Sequence, residues 1–309
     1  MTIKIAHRGA SGYLPEHTLQ AAAYAHALGA DYIEQDVVLS KDSVPIVLHD
    51  IYLNSVTNVG EKFGNRKRVD GKWYVSDFTL SELKELSVNE RLHSNEKEAV
   101  YPDRFPVRKG NFQISTLGEH IELIQGLNIS TKRNVGIYPE IKRPKWHRRE
   151  GLDISRVIVD MLKKYGYVNH KDKIFLQCFD SKELKRIKNE LNSSLPLIQL
   201  IGDNSWGESE DDYGYMITEN GIKEVSKYAV GIGPYLQLNY NVNIKGRDFR
   251  PSPMVNYARQ NNLLIHPYTI RKDSIPLDFL DYKEMLKWFI NTLKADGLFT
   301  DFVDQTEIQ

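Results

Sequence analysis

The connection Ser40–Val44 constrains this chain more than any other stretch. Short β-rich apolar runs alternate with longer helical patterns along the 309 residues. The runs that read as strands are Ile3–Ala6, Tyr32–Leu39, Pro45–His49, Val135–Ile141, Ile174–Gln177, Leu197–Ile201, Val230–Ile232, Leu263–His266 and Gly297–Thr300. Helical periodicities such as Leu19–Leu28, Ile154–Tyr165, Ser181–Leu191, Ile222–Tyr228 and Tyr282–Leu293 separate them. Strand–helix–strand alternation gives a parallel sheet with covering helices. Between the second and third strands, however, only Ser40–Val44 intervenes, and a parallel crossover needs about a dozen residues or more. Those two strands must form an antiparallel hairpin with Lys41-Asp42-Ser43 at its tip. Removing the return strand leaves eight parallel strands, the number that closes a β/α barrel. The predicted fold is therefore α/β, a closed (β/α)8 barrel of the TIM type over residues 1–309 as a single domain, with a β-hairpin extension of strand 2.

Residues of about 51–115 break the alternation. They are polar, include "GEKFGNRKRVDGKWY" and "NERLHSNEKEAVYPDRFP", and show no strong period. A loop this long in a compact protein is usually functional or disordered, so we read it as an insertion packed over one face of the barrel. A second polar segment, about 235–250, has the same character. The chain carries 41 basic and 41 acidic side chains, a balance that draws it to neither nucleic acid nor an anionic membrane. No apolar run approaches the roughly 18 residues of a membrane helix, so no stable membrane insertion is expected. Cys178 is the lone cysteine and cannot form an intrachain disulfide. No secretory signal precedes Ile3, which reads as cytoplasmic if the chain is complete as given. Oligomeric state is not legible.

In such a barrel the chemistry sits at the C-terminal ends of the strands. The first strand ends in His7-Arg8, the second carries Glu34 and Asp36 on one face, the next parallel strand carries Glu140, and the seventh ends in His266. A hairpin tip centred near Asp42 and Ser43 puts His49 directly opposite Asp36, within about 5.5 Å. Two histidines and three carboxylates then converge on one barrel mouth. Three carboxylates crowded at a desolvated site repel one another unless protonated or bound to a cation. All-oxygen ligation favours a hard ion, Mg²⁺ or Ca²⁺, over zinc. The histidines suit base and acid roles, and the planar Arg8 fork suits a phosphate. A hard cation, an arginine and two histidines together describe phosphoryl transfer without a covalent enzyme intermediate.

The stretches "AHRGASGYLPEHT", "GADYIEQDV", "PIVLHD", "YPEIK" and "GLFTDF" resemble the glycerophosphodiester phosphodiesterase family, in particular its bacterial periplasmic type, nearly end to end from Ile5 to Phe302. The resemblance implies hydrolysis of small-molecule glycerophosphodiesters, such as glycerophosphocholine, to sn-glycerol 3-phosphate and an alcohol. By position, Glu34, Asp36 and Glu140 resemble the ligands of one divalent cation, His7 and His49 the acid–base pair, and Arg8 the phosphate clamp. Lys142, Glu16 and Tyr268 resemble secondary, substrate-binding members of the site. The family's nucleophile is thought to be the substrate's own glycerol hydroxyl, giving a cyclic phosphate that water opens; direct attack by water fits the sequence equally. The resemblance also points to export, to the periplasm. His17 stands where many relatives carry Asn, Asn54-Ser55 where an Asp-Arg pair is common, and "IHPYTIR" replaces an aromatic-rich strand ending.

Plainer readings compete at several positions. Lys142 could merely neutralise Glu140, and Glu16 could be an N-terminal charge of the following helix. His266 and Tyr268 could be barrel packing, Asp301 a strand-end cap, Cys178 inert filling, and the basic run Lys142–Arg149 a solvated loop. Two rival functions remain: a related barrel phosphodiesterase or lyase acting on a phospholipid, and a non-enzymatic surface-binding protein that keeps the barrel.

Overall fold

A computed structural model describes residues 2–94, 97–243 and 248–306. The strands are β1 (Ile3–Ala6), β2 (Tyr32–Leu39), β3 (Pro45–Val47), β4 (Ser115–Thr116), β5 (Gly136–Ile141), β6 (Leu176–Cys178), β7 (Leu197–Ile201), β8 (Gly231–Pro234), β9 (Tyr240–Asn243), β10 (Asp248–Pro251), β11 (Leu264–Ile265) and β12 (Gly297–Thr300). Eight of them run parallel in the order β11-β8-β7-β6-β5-β2-β1-β12. The ring closes through backbone bonds from Asp296 to Ile265 (3.0 Å), from Phe299 to Pro267 (3.1 Å) and from Ile270 to Phe299 (2.8 Å). The structure is thus the α/β barrel that the strand count implies.

Alternation of side chains decides what fills that barrel. Along β2, Ile33 and Val37 face outward into the large apolar layer beneath the helices, while Tyr32, Glu34 and Asp36 face inward. Tyr32 joins Ile5, Tyr138, Ile198 and Phe299 in a packed lumen, as expected of a barrel whose interior is core rather than pore. His266 belongs to this plug: it is buried and its Nδ1 hydrogen-bonds the Tyr138 hydroxyl at 3.0 Å. It is barrel packing, not pocket wall.

The hairpin differs from expectation in register. Val37 pairs Val47 and Leu39 pairs Pro45, and Leu48, not His49, lies opposite Asp36, donating its N–H to the Asp36 carbonyl at 2.9 Å. The cause is the turn. Lys41-Asp42-Ser43 forms a three-residue loop with Ser43 at φ 62°, and Ser40 and Val44 close it. Its centre is therefore Asp42, half a residue earlier than assumed. A slip of one residue inverts every side chain, so β3 ends at Val47 and His49 reaches the barrel mouth only because the chain bends beyond the strand.

Between that bend and β4, which pairs with β3, residues 51–94 and 97–114 form a layer of short helical turns and isolated bridges. The layer has its own apolar cluster, with Leu53, Trp73, Phe78 and Leu86 packed against Val38 and Ile46 of the hairpin. Helices at Leu117–Thr131 and Pro253–Gln260 supply the β2–β5 and β8–β11 crossovers. The second polar segment forms the β9–β10 hairpin, and its tip at 244–247 lies outside the described residues. Among the described residues no helix is long and apolar enough to cross a membrane.

Candidate active site

The loop after β1 sets the geometry. Arg8 adopts φ 59° and Gly9 φ 80°. A side chain at position 9 would lie 2.8 Å from the Ala21 backbone, so only glycine fits there. The left-handed Arg8 turns its N–H onto Glu34 Oε2 at 2.6 Å, and its carbonyl accepts the N–H of His17, itself at φ 63°. Thr18 then caps the helix Leu19–Ala27 by accepting from Ala21 N–H. His7, Arg8 and His17 are thereby brought onto the end of β2.

A cavity of about 550 Å³ opens at the C-terminal end of the barrel, lined by His7, Arg8, Glu34, Asp36, His49, Glu140, Lys142 and Tyr268. Glu16 is the exception among the expected site residues. It lines a neighbouring cavity of about 190 Å³ and pairs with Arg8 at 3.0 Å and Arg91 at 2.6 Å. Its carboxylate braces two arginines; the first turn of the following helix holds no acidic residue.

The two histidines are held alike. His7 Nδ1 donates to Asp301 Oδ1 at 2.6 Å, and His49 Nδ1 to Asp50 Oδ1 at 2.7 Å. Nε2 of each ring has no hydrogen-bond partner among the described residues, and both rings line the cavity. Burial, then the adjacent Arg8 charge, push His7 down to about 4 and His49 down to about 3. Both imidazoles are therefore neutral at pH 7, with Nε2 lone pairs available. Asp301 is not a strand cap: its Oδ2 also accepts from Arg104 and Arg271, each at 2.7 Å. Asp50 is tied in the same way to Arg91 at 2.8 Å and Ser55 at 2.9 Å.

Glu34, Asp36 and Glu140 crowd together where β2 and β5 pair, Asp36 lying beside Glu140 in register. Burial, followed by the neighbouring Asp36 charge, raises the Glu34 carboxyl well above its usual range. Burial raises Glu140 too, against the pull of Lys142. Asp36 goes the other way, because Lys142, His49 and His17 outweigh its burial. Without a cation the cluster thus retains protons, as three close carboxylates must. Lys142 is an ion-pair partner of Glu140 at 2.8 Å, and lies 3.9 Å from Asp36. Gln177, next to Glu140 in register, adds a cavity-lining Oε1 that is buried and without a protein partner. These oxygens suit a hard divalent ion.

His17 was not among the expected site residues. Its Nε2 donates to Asp36 Oδ2 at 2.8 Å, and donor atoms of His17, Glu34 and Asp36 lie within 4.8 Å of one another. With that N–H engaged, the ring orients Asp36 rather than offering it a lone pair. Tyr268 donates its hydroxyl to the Ile201 carbonyl at 3.1 Å and presents its ring to the cavity. Arg143, Lys145 and Arg148 pair with Glu208, Glu210 and Glu183; Lys145 and Arg148 lie on the helix Pro144–Arg149 and Glu183 is buried, so this run is not the solvated loop expected. Cys178 is buried at the end of β6.

The model of the glycerophosphoryl diester phosphodiesterase family matches residues 7–305. A glycerophosphodiester phosphodiesterase of Haemophilus influenzae is 44% identical over 98% of this chain and 88% of its own. The chain belongs to the glycerophosphoryl diester phosphodiesterase family. A Treponema pallidum glycerophosphodiester phosphodiesterase is 38% identical, over 97% of this chain and 89% of its own. In fold, the crystal structure of a putative glycerophosphoryl diester phosphodiesterase from Silicibacter pomeroyi matches with a TM-score of 0.75 at 22% identity, over 99% of this chain and 92% of that one. The chain is accordingly an enzyme of the phosphodiesterase class, with a small diester as substrate.

Proposed function

We propose that the protein hydrolyses glycerophosphodiesters such as glycerophosphocholine, in a divalent-metal-dependent reaction, to sn-glycerol 3-phosphate and the free alcohol. The observation that carries this reading is the pairing of two neutral, aspartate-held imidazoles, His7 and His49, across a cavity that also contains Arg8 and three buried carboxylates. One imidazole removes the proton of the attacking hydroxyl through Nε2; the other returns a proton through Nε2 to the departing alkoxide. The attacking hydroxyl is the substrate's own glycerol hydroxyl, with a cyclic phosphate opened by water in a second step, or water itself. Either route consumes one water and leaves one monoester and one alcohol. Arg8 meets the phosphate. Burial first, and Arg8 after it, depress both histidines; a phosphate anion settled on Arg8 offsets the second of these and so favours the protonated form of the acid. Glu34, Asp36 and Glu140 would hold one Ca²⁺ or Mg²⁺, which supplies charge stabilisation for the phosphoryl oxygens and the attacking hydroxyl. Lys142 and Tyr268 border the substrate, and Glu16 acts on it by holding Arg8. We further propose that the enzyme acts in the periplasm, a reading supported by the likeness of its motifs to the family's bacterial periplasmic type.

The test is phosphorus NMR of the purified protein with glycerophosphocholine and Mg²⁺ or Ca²⁺. A glycerol 3-phosphate resonance growing in step with free choline is expected. Accumulation of cyclic phosphate as the end product would reassign the protein as a lyase, and no turnover with either ion would reject the activity.

A further inference from the structure

Two cavities meet at the barrel mouth, the large one of about 550 Å³ and the smaller one of about 190 Å³. Among the described residues only four line both: His7, Arg8, His49 and Arg271. The first three are the groups that the proposed reaction places around the phosphorus; the fourth has no assigned role.

Arg271 is built for one. It follows Ile270, which bridges to Thr300 of β12, so its backbone is fixed to the barrel wall. Its Nε donates to Asp301 Oδ2 at 2.7 Å, which pins the base of the guanidinium. The same carboxylate takes Arg104, which also bonds Asp273 at 2.7 and 3.0 Å and the Ser11 carbonyl at 3.3 Å. Arg104, only 4% exposed, borders the smaller cavity alone and is bonded through all three of its guanidinium nitrogens. Arg271 is open: its side chain is 23% exposed and its two terminal nitrogens have no hydrogen-bond partner among the described residues. An arginine anchored through Nε, with its outer fork free at the junction of two cavities, is preorganised for a planar bidentate contact with an anion.

We infer that Arg271 is a second phosphate-binding arginine, gripping the phosphodiester together with Arg8 where the two cavities join. The two ester arms of the substrate then lie one in each cavity. This inference rests on the proposed reaction for its substrate and on the two-cavity geometry for its position.

The test uses inorganic phosphate and sn-glycerol 3-phosphate as probes, titrated calorimetrically into the Mg²⁺-loaded wild type, Arg271→Gln and Arg271→Lys. Arg271→Gln is expected to bind both probes on the order of 10- to 100-fold more weakly, with KM for the diester rising in parallel, as loss of a charge-assisted bidentate contact requires. Arg271→Lys recovers part of that affinity. Should the glutamine variant be unfolded by circular dichroism, the lysine variant decides alone, since it keeps the charge but not the bidentate fork and is expected to bind phosphate more weakly than wild type. Phosphate affinity equal to wild type in a folded variant, even with kcat reduced, would overturn the inference and make Arg271 a brace for Asp301. A wild type that binds phosphate through Arg271 yet hydrolyses no glycerophosphodiester would uphold the clamp while rejecting the reaction; a wild type that binds no phosphate would reject the clamp.

Discussion

Asp301→Asn probes the link between the barrel wall and His7 with a single atom exchanged. In the native site Oδ1 accepts His7 Nδ1–H and Oδ2 accepts the two guanidinium donors. An amide offers one oxygen and one NH2, so one side must face a donor with a donor. Two charged donors outbid one imidazole, each such bond being worth about 1.5–3 kcal/mol. The amide oxygen therefore stays with Arg104 and Arg271, and the NH2 faces His7. Nδ1 can meet it only as an acceptor, which moves the ring proton to Nε2 and removes the lone pair a base needs. If His7 is instead the acid, loss of the carboxylate strips the charge that supports its imidazolium. In either role kcat should fall about 10²- to 10⁴-fold, the size of a general acid–base contribution. Stability should fall by less than the about 3–5 kcal/mol typical of a broken buried pair, because Arg104 keeps Asp273 and Arg271 can be hydrated. The assay is coupled release of glycerol 3-phosphate, with ¹⁵N NMR of the histidine rings reporting the tautomer. A kcat within about threefold of wild type, with the proton still on Nδ1, would refute the reasoning.

His7→Ala and His49→Ala should each abolish turnover with native circular dichroism retained; wild-type-like rates in either would remove that histidine from the mechanism. The pH dependence of stability carries two opposing contributions. His7 and His49, at about 4 and about 3 when folded against 6.5 when free, add stability that is complete above pH 6.5 and declines as pH falls, by up to about 1.4 kcal/mol per pH unit for each ring. Glu34 and Glu140, raised when folded, add stability below their ordinary range that is lost as pH rises, unless a cation takes the place of their protons. Exhaustive chelation should therefore stop activity, Mg²⁺ or Ca²⁺ should restore it, and the melting-temperature gain on adding Mg²⁺ should be larger at pH 8 than at pH 5. Full turnover after chelation, or a gain independent of pH, would count against the carboxylate cluster as the cation site.

Much of the barrel was legible because its parallel strands are short, largely apolar runs set between longer helical periods: Ile3–Ala6, Tyr32–Leu39, Leu197–Ile201 and Gly297–Thr300 have the predicted bounds. The helix Leu117–Thr131 escaped pattern reading, since Gly118 and Gly126 dilute its period, although its capping box of Thr116 and Glu119 marks its start. The helix predicted at Ile222–Tyr228 begins earlier, at Glu219, because Thr218 caps it. Inward carboxylates could be found by i, i+2 spacing inside apolar sequence. What spacing could not supply were contacts made across the fold. Arg91 and Arg104 come from a segment without periodicity, and Arg271 and Asp301 meet through barrel closure. His17 was visible in "PEHT", but only the left-handed turn at that position aims it at Asp36.

The layer between β3 and β4 has a consequence for how this enzyme can fail. Arg91 and Arg104, which hold the aspartates behind His49 and His7, are carried by that layer, and its apolar cluster is separate from the one beneath the barrel helices. Loosening the layer would strip Arg91 from Asp50 and Arg104 from Asp301, weakening the support of both imidazoles while the eight-stranded ring stayed shut. Catalytic competence is therefore the more fragile property of this molecule, governed by a local opening equilibrium rather than by survival of the barrel itself.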